Sequence, residues 1–153
     1  MRALLTLPLA LGWTAACAVP SVLSWRVARR WGRGLLALWG VPVEVRGAEH
    51  APSGPAVYAV NHGSALDIPV MFGYLPEFRV IHRRSLHWWP VIGQYLYLAG
   101  HVGIERSRPF EARRSLEQAA ARIRGGTSVA VFPEGTRSPD GRVRSFKRGT
   151  FMI

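Results

Sequence analysis

At 153 residues the chain is long enough for one domain with a sizeable core and a short appendage. Its 20 Lys and Arg against 9 Asp and Glu, all of the cations but Lys147 being arginine, call for anionic partners such as phosphates or lipid headgroups. The single cysteine, Cys17, excludes an intrachain disulfide and a thiolate metal cluster. No zinc-finger, RNP-type or helix-turn-helix pattern turns the charge toward nucleic acid.

Residues 3–23 carry no charge and are long enough to cross a bilayer core of ~30 Å as a helix. Pro8, Gly12 and Pro20 weaken that helix without forbidding it in a membrane. A signal peptide is the competing reading, with Ala16-Cys17-Ala18 as its small-x-small site. Residues 24–41 then mix Trp25, Trp31 and Trp39 with Arg26, Arg29, Arg30 and Arg33. Rings at the headgroup level and guanidinium groups toward phosphates are the equipment of an interfacial helix, although an ordinary surface helix would also use them. The expectation is a membrane-anchoring helical segment over 1–41, attached to an anionic surface. If 3–23 spans the cell's inner membrane, the arginines put the domain beyond residue 41 on the cytoplasmic side.

From residue 42 to 153 the pattern is that of an α/β domain. Strands are expected at 43–46, 56–60, 78–81, 101–104 and 128–132. Helices are expected at 64–74 and 109–124, and the aromatic stretch 88–98 reads as a buried helix or a lipid-facing wall. The 109–124 helix has the firmest boundaries: Ser107 as N-cap, Pro109 in the first turn and Gly125-Gly126 to stop it. Its apolar Ala112, Leu116, Ala119, Ala120 and Ile123 share a face. The fold class is therefore α/β: a largely parallel sheet with flanking helices, preceded by N-terminal membrane-associated helices, with any site at the strand ends.

Two segments carry chemistry. In Asn61-His62-Gly63-Ser64-Ala65-Leu66-Asp67 a histidine follows a strand and a carboxylate lies one turn and a half further on. Asp67 can accept from one ring N–H and leave the other nitrogen of His62 free to take a proton, and free imidazole, with a pKa of ~6.5, does so near neutral pH. A structural histidine beside a helix-capping aspartate is the alternative. Ser64 suits a helix N-cap better than a nucleophile. In Phe132-Pro133-Glu134-Gly135-Thr136-Arg137 the glycine permits a tight turn, Thr136 and backbone N–H groups can face an anion, and Arg137 supplies a planar fork. Glu134 would fix an arginine or bind a substrate hydroxyl; a surface turn with a salt bridge is the plainer reading. Arg142, Arg144, Lys147 and Arg148 line the same basic mouth or face solvent. His82, His87 and His101 lack metal-ligand spacing, so no metal is expected.

Taken in order, Asn61-His62-x-Ser64-x-x-Asp67, Gly100 to Arg106, Phe132-Pro133-Glu134-Gly135-Thr136-Arg137 and Phe146-Lys147-x-Gly149 resemble the glycerolipid acyltransferases of the 1-acyl-sn-glycerol-3-phosphate acyltransferase type. The resemblance implies that His62 deprotonates the free hydroxyl of a lysophospholipid acceptor while Asp67 orients it. The alkoxide attacks the thioester of acyl-CoA or acyl-carrier protein directly, with no cofactor. It implies that Arg106 holds the acceptor's phosphate, with Glu134, Gly135, Thr136 and Arg137 completing that site. Gly103, Glu105 and Arg83 depart from the family's usual bulky apolar residue, aspartate and lysine. The family's pattern runs on to a Val-Pro-Val motif, so the chain is expected to be incomplete at its C-terminus. Glycerol-3-phosphate or another lysophospholipid as acceptor, and a non-catalytic lipid-binding protein, are the alternatives.

Overall fold

The computed structural model describes residues 2–105 and 109–148. The chain divides into two compact units, one made of Met1–Ala51 and Ala65–Pro76, the other of Pro52–Ser64 and Glu77–Ile153.

The first unit is helical. Helix α1 (Arg2–Leu23) runs through Pro8 and Pro20, and α2 (Trp25–Leu38) follows after Ser24. Residues Thr6–Leu23 of α1 are long and apolar enough to cross a membrane by length and composition, with a mean hydropathy of 1.5. Leu7, Leu9, Leu11, Val19 and Leu23 of α1 are exposed, while Ala10 and Cys17 are buried. The two helices are joined by indole hydrogen bonds. Trp13 Nε1 donates to the Trp31 carbonyl at 3.2 Å, and Trp31 Nε1 donates to Thr14 Oγ1 at 3.1 Å.

Helix α3 (Asp67–Tyr74) crosses α2 closely enough that a Cβ on Gly32 would stand 2.4 Å from the Pro69 carbonyl oxygen. Phe72 sits against Trp25 and Trp31, ring centroids 5.4 and 5.5 Å away. Arg33 Nε donates to the Gly73 carbonyl at 2.9 Å, and Arg29 donates to the Tyr74 carbonyl at 3.4 Å. These carbonyls close the last turn of α3, where partial negative charge gathers and cations are favoured. Trp25, Arg29 and Trp31 are half-buried against α3 and the exposed Arg33 also reaches it, whereas Arg26, Arg30 and Trp39 are exposed.

The second unit holds a four-stranded sheet of β1 (Val57–Ala59), β2 (Arg79–Arg83), β3 (Val102–Ile104) and β4 (Val129–Val131). The order is β1-β4-β2-β3, and every pairing is parallel. In register, Ala59 faces Val131, Val80 faces Ala130, and Ile81 faces Val102. Central β4 is buried throughout, as an uninterrupted Val-Ala-Val run requires. Helix α4 (Ile92–Leu98) precedes β3, and α5 (Pro109–Arg124) precedes β4. Leu116, Ala119 and Ile123 of α5 join Ile81, Val102, Ile104, Val129 and Val131 in one core.

Helix α5 has the bounds its sequence predicts, while its expected N-cap Ser107 lies outside the described residues. Three helices end the same way, with a glycine at positive φ (Gly40, Gly100 and Gly126). In each, two N–H groups reach back over the last turn; after α5, Thr127 donates to Arg122 at 2.9 Å and Gly126 to Ile123 at 3.0 Å. The strand expected at 43–46 is absent: that segment follows Pro42, is largely exposed, and carries a local Arg46–Glu44 ion pair at 2.7 Å instead of a ladder. The aromatic stretch 88–98 is a short 3-10 turn over Arg84–Trp88 followed by α4, with Trp88 and Tyr97 exposed.

Candidate active site

Because all four strands are parallel, their connections leave from one end of the sheet, where α/β folds place reactive groups. β1 runs into Asn61-His62 and its neighbour β4 into Phe132-Pro133-Glu134. The pairing continues past both strands through the Val60 N–H, which donates to the Val131 carbonyl at 2.9 Å. Two segments far apart in sequence are thereby brought together.

The loop after β4 is a mount for His62. Pro133 starts a turn closed by the Gly135 N–H, which donates to the Phe132 carbonyl at 3.0 Å, and Gly135 takes φ +73. The turn buries Glu134 to 3% exposure. Glu134 Oε1 accepts the His62 main-chain N–H at 3.0 Å, and Oε2 accepts the Arg144 N–H at 3.3 Å. The His62 carbonyl in turn accepts the Ser138 N–H at 2.7 Å. Finally, the imidazole stacks on Phe132, centroids 3.9 Å apart and 18° between planes. Main chain and ring of His62 are therefore both held by the 132–138 loop.

Beyond Gly135 the loop turns basic. Thr136 and Arg137 are exposed, as are Arg142, Arg144, Lys147 and Arg148. The Lys147 N–H donates to the Pro133 carbonyl at 2.9 Å and lays its side chain beside Gly135, where a Cβ would meet Lys147 Cδ and Cε at 3.1 Å. Asp140 is the one acidic residue of this stretch. The Ser138 hydroxyl and then the Arg142 N–H hydrogen-bond its carboxylate and lower its pKa from the usual range. An anion approaching this face meets a concentration of positive charge with little competing acid.

Of the residues expected to carry function, the second unit brings together His62, Glu134, Gly135, Thr136 and Arg137. Asp67 is the first residue of α3 in the other unit. Arg106 follows β3 in sequence and lies outside the described residues. The roles of Phe132 as a stacking partner and of Ser138 as a main-chain anchor were not apparent from the sequence. No periodicity announces a bond across 72 positions. No group of three or more His, Cys, Asp and Glu among the described residues is placed to hold a metal ion.

His101 has a structural task. Its Nδ1 accepts the Val80 N–H at 2.9 Å, satisfying a donor of β2. Burial, followed by the charges of Arg79, His82 and Arg122, pushes its pKa down to about 3. His82 is also lowered, chiefly by burial.

A family model described as acyltransferase matches residues 42–153. The 1-acyl-sn-glycerol-3-phosphate acyltransferase of Limnanthes alba is 38% identical over 120 residues, covering 76% of this chain and 42% of that protein. The human 1-acyl-sn-glycerol-3-phosphate acyltransferase alpha is 41% identical over 119 residues, again 76% of this chain and 42% of the relative. The chain thus spans about two-fifths of the length of the curated relatives it matches. Among solved structures, the 1-acyl-sn-glycerophosphate acyltransferase PlsC from Thermotoga maritima superposes with a TM-score of 0.76 at 27% identity, covering 99% of this chain and 70% of that one. With the family model matching most of its length, the chain belongs to the acyltransferase family.

Proposed function

We propose that the protein transfers a fatty acyl group from acyl-CoA or acyl-carrier protein to the free hydroxyl of 1-acyl-glycerol-3-phosphate, giving phosphatidic acid for phospholipid synthesis. The observation that carries this reading is the mounting of His62 by the same loop that presents Gly135, Thr136 and Arg137. A base and an anion-binding turn at one strand end suit a hydroxyl nucleophile whose phosphate lies a few bonds away. The names of the relatives point to the same acceptor.

In the proposed reaction His62 takes the hydroxyl proton as the oxygen bonds to the thioester carbonyl carbon. The tetrahedral adduct collapses with cleavage of the carbon–sulfur bond, and the departing thiolate receives the proton from the imidazolium. Products are the ester and the free thiol. A thioester is already activated, so neither a covalent serine intermediate nor a metal or cofactor is called for. Asp67, five positions from His62, is assigned to orienting it, an assignment supported by spacing and by the family resemblance. Arg106, Thr136 and Arg137 are assigned to the acceptor's phosphate, with Gly135 allowing its close approach. Glu134, with each carboxylate oxygen accepting a main-chain N–H, is assigned to positioning the loop. We place the protein at the inner membrane through α1, with its catalytic part toward the cytoplasm.

The test is the acceptor. Membranes carrying the chain, given labelled acyl-CoA or acyl-carrier protein, are expected to label phosphatidic acid when lysophosphatidic acid is supplied. Labelling only from glycerol-3-phosphate or from a phosphate-free lysolipid would overturn the assigned substrate.

A further inference from the structure

Within residues 88–98 the second unit exposes large apolar side chains that its core does not use: Trp88 (88% exposed), Trp89 (57%), Tyr97 (74%) and Leu98 (60%), with Val91 and Ile92 between them in the chain, and the Tyr97 ring lies 6.4 Å from that of His87, the neighbour of Trp88. From Ser85 to Ile104 the sequence has no Asp, Glu, Lys or Arg. Isolated exposed apolar residues are ordinary, but several large ones exposed from one uncharged stretch mark a contact surface.

The patch is held firmly from beneath. Leu96 is buried, and Gly93 lies so close to the preceding turn that a Cβ there would stand 2.0 Å from the His87 carbonyl oxygen. The α4 end is locked by the His101 N–H, which donates to Leu96 at 2.9 Å, and by the Arg122 guanidinium, which donates to the Gly100 carbonyl. The exposed side chains therefore stand on a packed, hydrogen-bonded base.

Its border is basic. Exposed Arg83 and Arg84 precede it in sequence, Arg84 being paired with Glu111 at 3.3 Å, and Arg122 reaches the carbonyl two residues beyond Leu98. Indole and phenol rings flanked by arginine suit the boundary between phosphate headgroups and acyl chains. A second copy of this chain fits poorly, because each copy brings a net charge of +11. An anionic bilayer supplies both the apolar layer and the opposite charge.

We propose that the Trp88–Trp89 and Tyr97–Leu98 face of the second unit inserts shallowly into an anionic bilayer, a lipid contact additional to α1. The reading is independent of the acyl-transfer assignment, and its test needs no activity. In the full chain with its only cysteine removed (Cys17→Ser), an environment-sensitive fluorophore is attached at Tyr97→Cys, at Trp88→Cys as a second reporter, or at Glu117→Cys on exposed α5 as the control.

The proteins are mixed with phosphatidylcholine–phosphatidylglycerol vesicles carrying nitroxide lipids labelled near the headgroup, since insertion would reach about 5–10 Å. The expected result is a blue shift and nitroxide quenching at positions 97 and 88 and neither at 117, with both effects weaker on pure phosphatidylcholine. Labels at 97 and 88 that stay unquenched while the protein floats with the vesicles would overturn the proposal. So would a blue shift that appears without vesicles and grows with protein concentration, which would assign the face to self-association. Equal insertion into pure phosphatidylcholine would remove the role given to the arginines.

Discussion

Glu134 is buried and gives each carboxylate oxygen to a main-chain donor, a placement that suits holding a loop. The sequence suggests that it binds an arginine or a hydroxyl; the fold gives its two oxygens to the N–H groups of His62 and Arg144. Hydrogen bonds to a buried charged acceptor contribute about 1.5–3 kcal/mol each, and leaving both donors unsatisfied costs a similar amount. Glu134→Ala is therefore expected to lower kcat by about a hundredfold or more, with a smaller rise in the acceptor KM because the same loop presents Thr136 and Arg137. A raised KM with unchanged kcat would assign Glu134 to the substrate instead. His101 makes a second residue-scale prediction. It is held neutral in the fold down to about pH 3, whereas the unfolded chain titrates near 6.5. Between those values the unfolded state binds a proton that the folded state refuses. Stability is thus full above pH 6.5 and falls on acidification, by up to about 1.4 kcal/mol per pH unit, with His82 acting in the same direction. Urea midpoints at pH 7 and pH 5 check this; an unchanged or higher midpoint at pH 5 would contradict it.

At the scale of elements, the sequence is most legible where local chemistry sets the boundary. Pro109 and Gly125-Gly126 delimit α5 because fixed φ at the start and a left-handed residue at the end are local requirements. Residues 43–46 alternate like a strand, yet no partner strand comes to them. The tryptophans and arginines of α2 carry a composition shared by interfacial and packed helices, and nothing in it announces which of them meet α3. That contact rests on Gly32. A methyl group there would collide with the Pro69 carbonyl, which is backbone and cannot swing aside. Gly32→Ala is expected to destabilise the first unit by about 1–3 kcal/mol despite the better helix propensity of alanine. Gly12→Ala in α1, where a Cβ meets nothing within 4 Å, is the control and should hold or raise the melting temperature in detergent. Equal melting temperatures for the two variants would show that α2 and α3 can separate without cost.

For the whole molecule, the parallel α/β character follows from strands alternating with helices, and the common end of the sheet follows from that. The strand order β1-β4-β2-β3 does not, because nothing local to β4 dictates insertion between β1 and β2. That insertion is what brings the Phe132–Arg137 loop to His62. The motifs were visible as separate segments, while their joining through Glu134 and Phe132 is a property of the sheet. His62 and Asp67 are close in sequence, yet the division between the two units falls between Ser64 and Ala65. The central claim rests on His62 as the base. It is tested most directly by the initial rate of phosphatidic acid formation from lysophosphatidic acid and labelled acyl-CoA, in wild type and in His62→Ala of matched membrane content and circular dichroism. Loss of a base that acts in the transition state should lower the rate by about 10²–10⁴-fold. A His62→Ala rate within a few-fold of wild type would contradict the account.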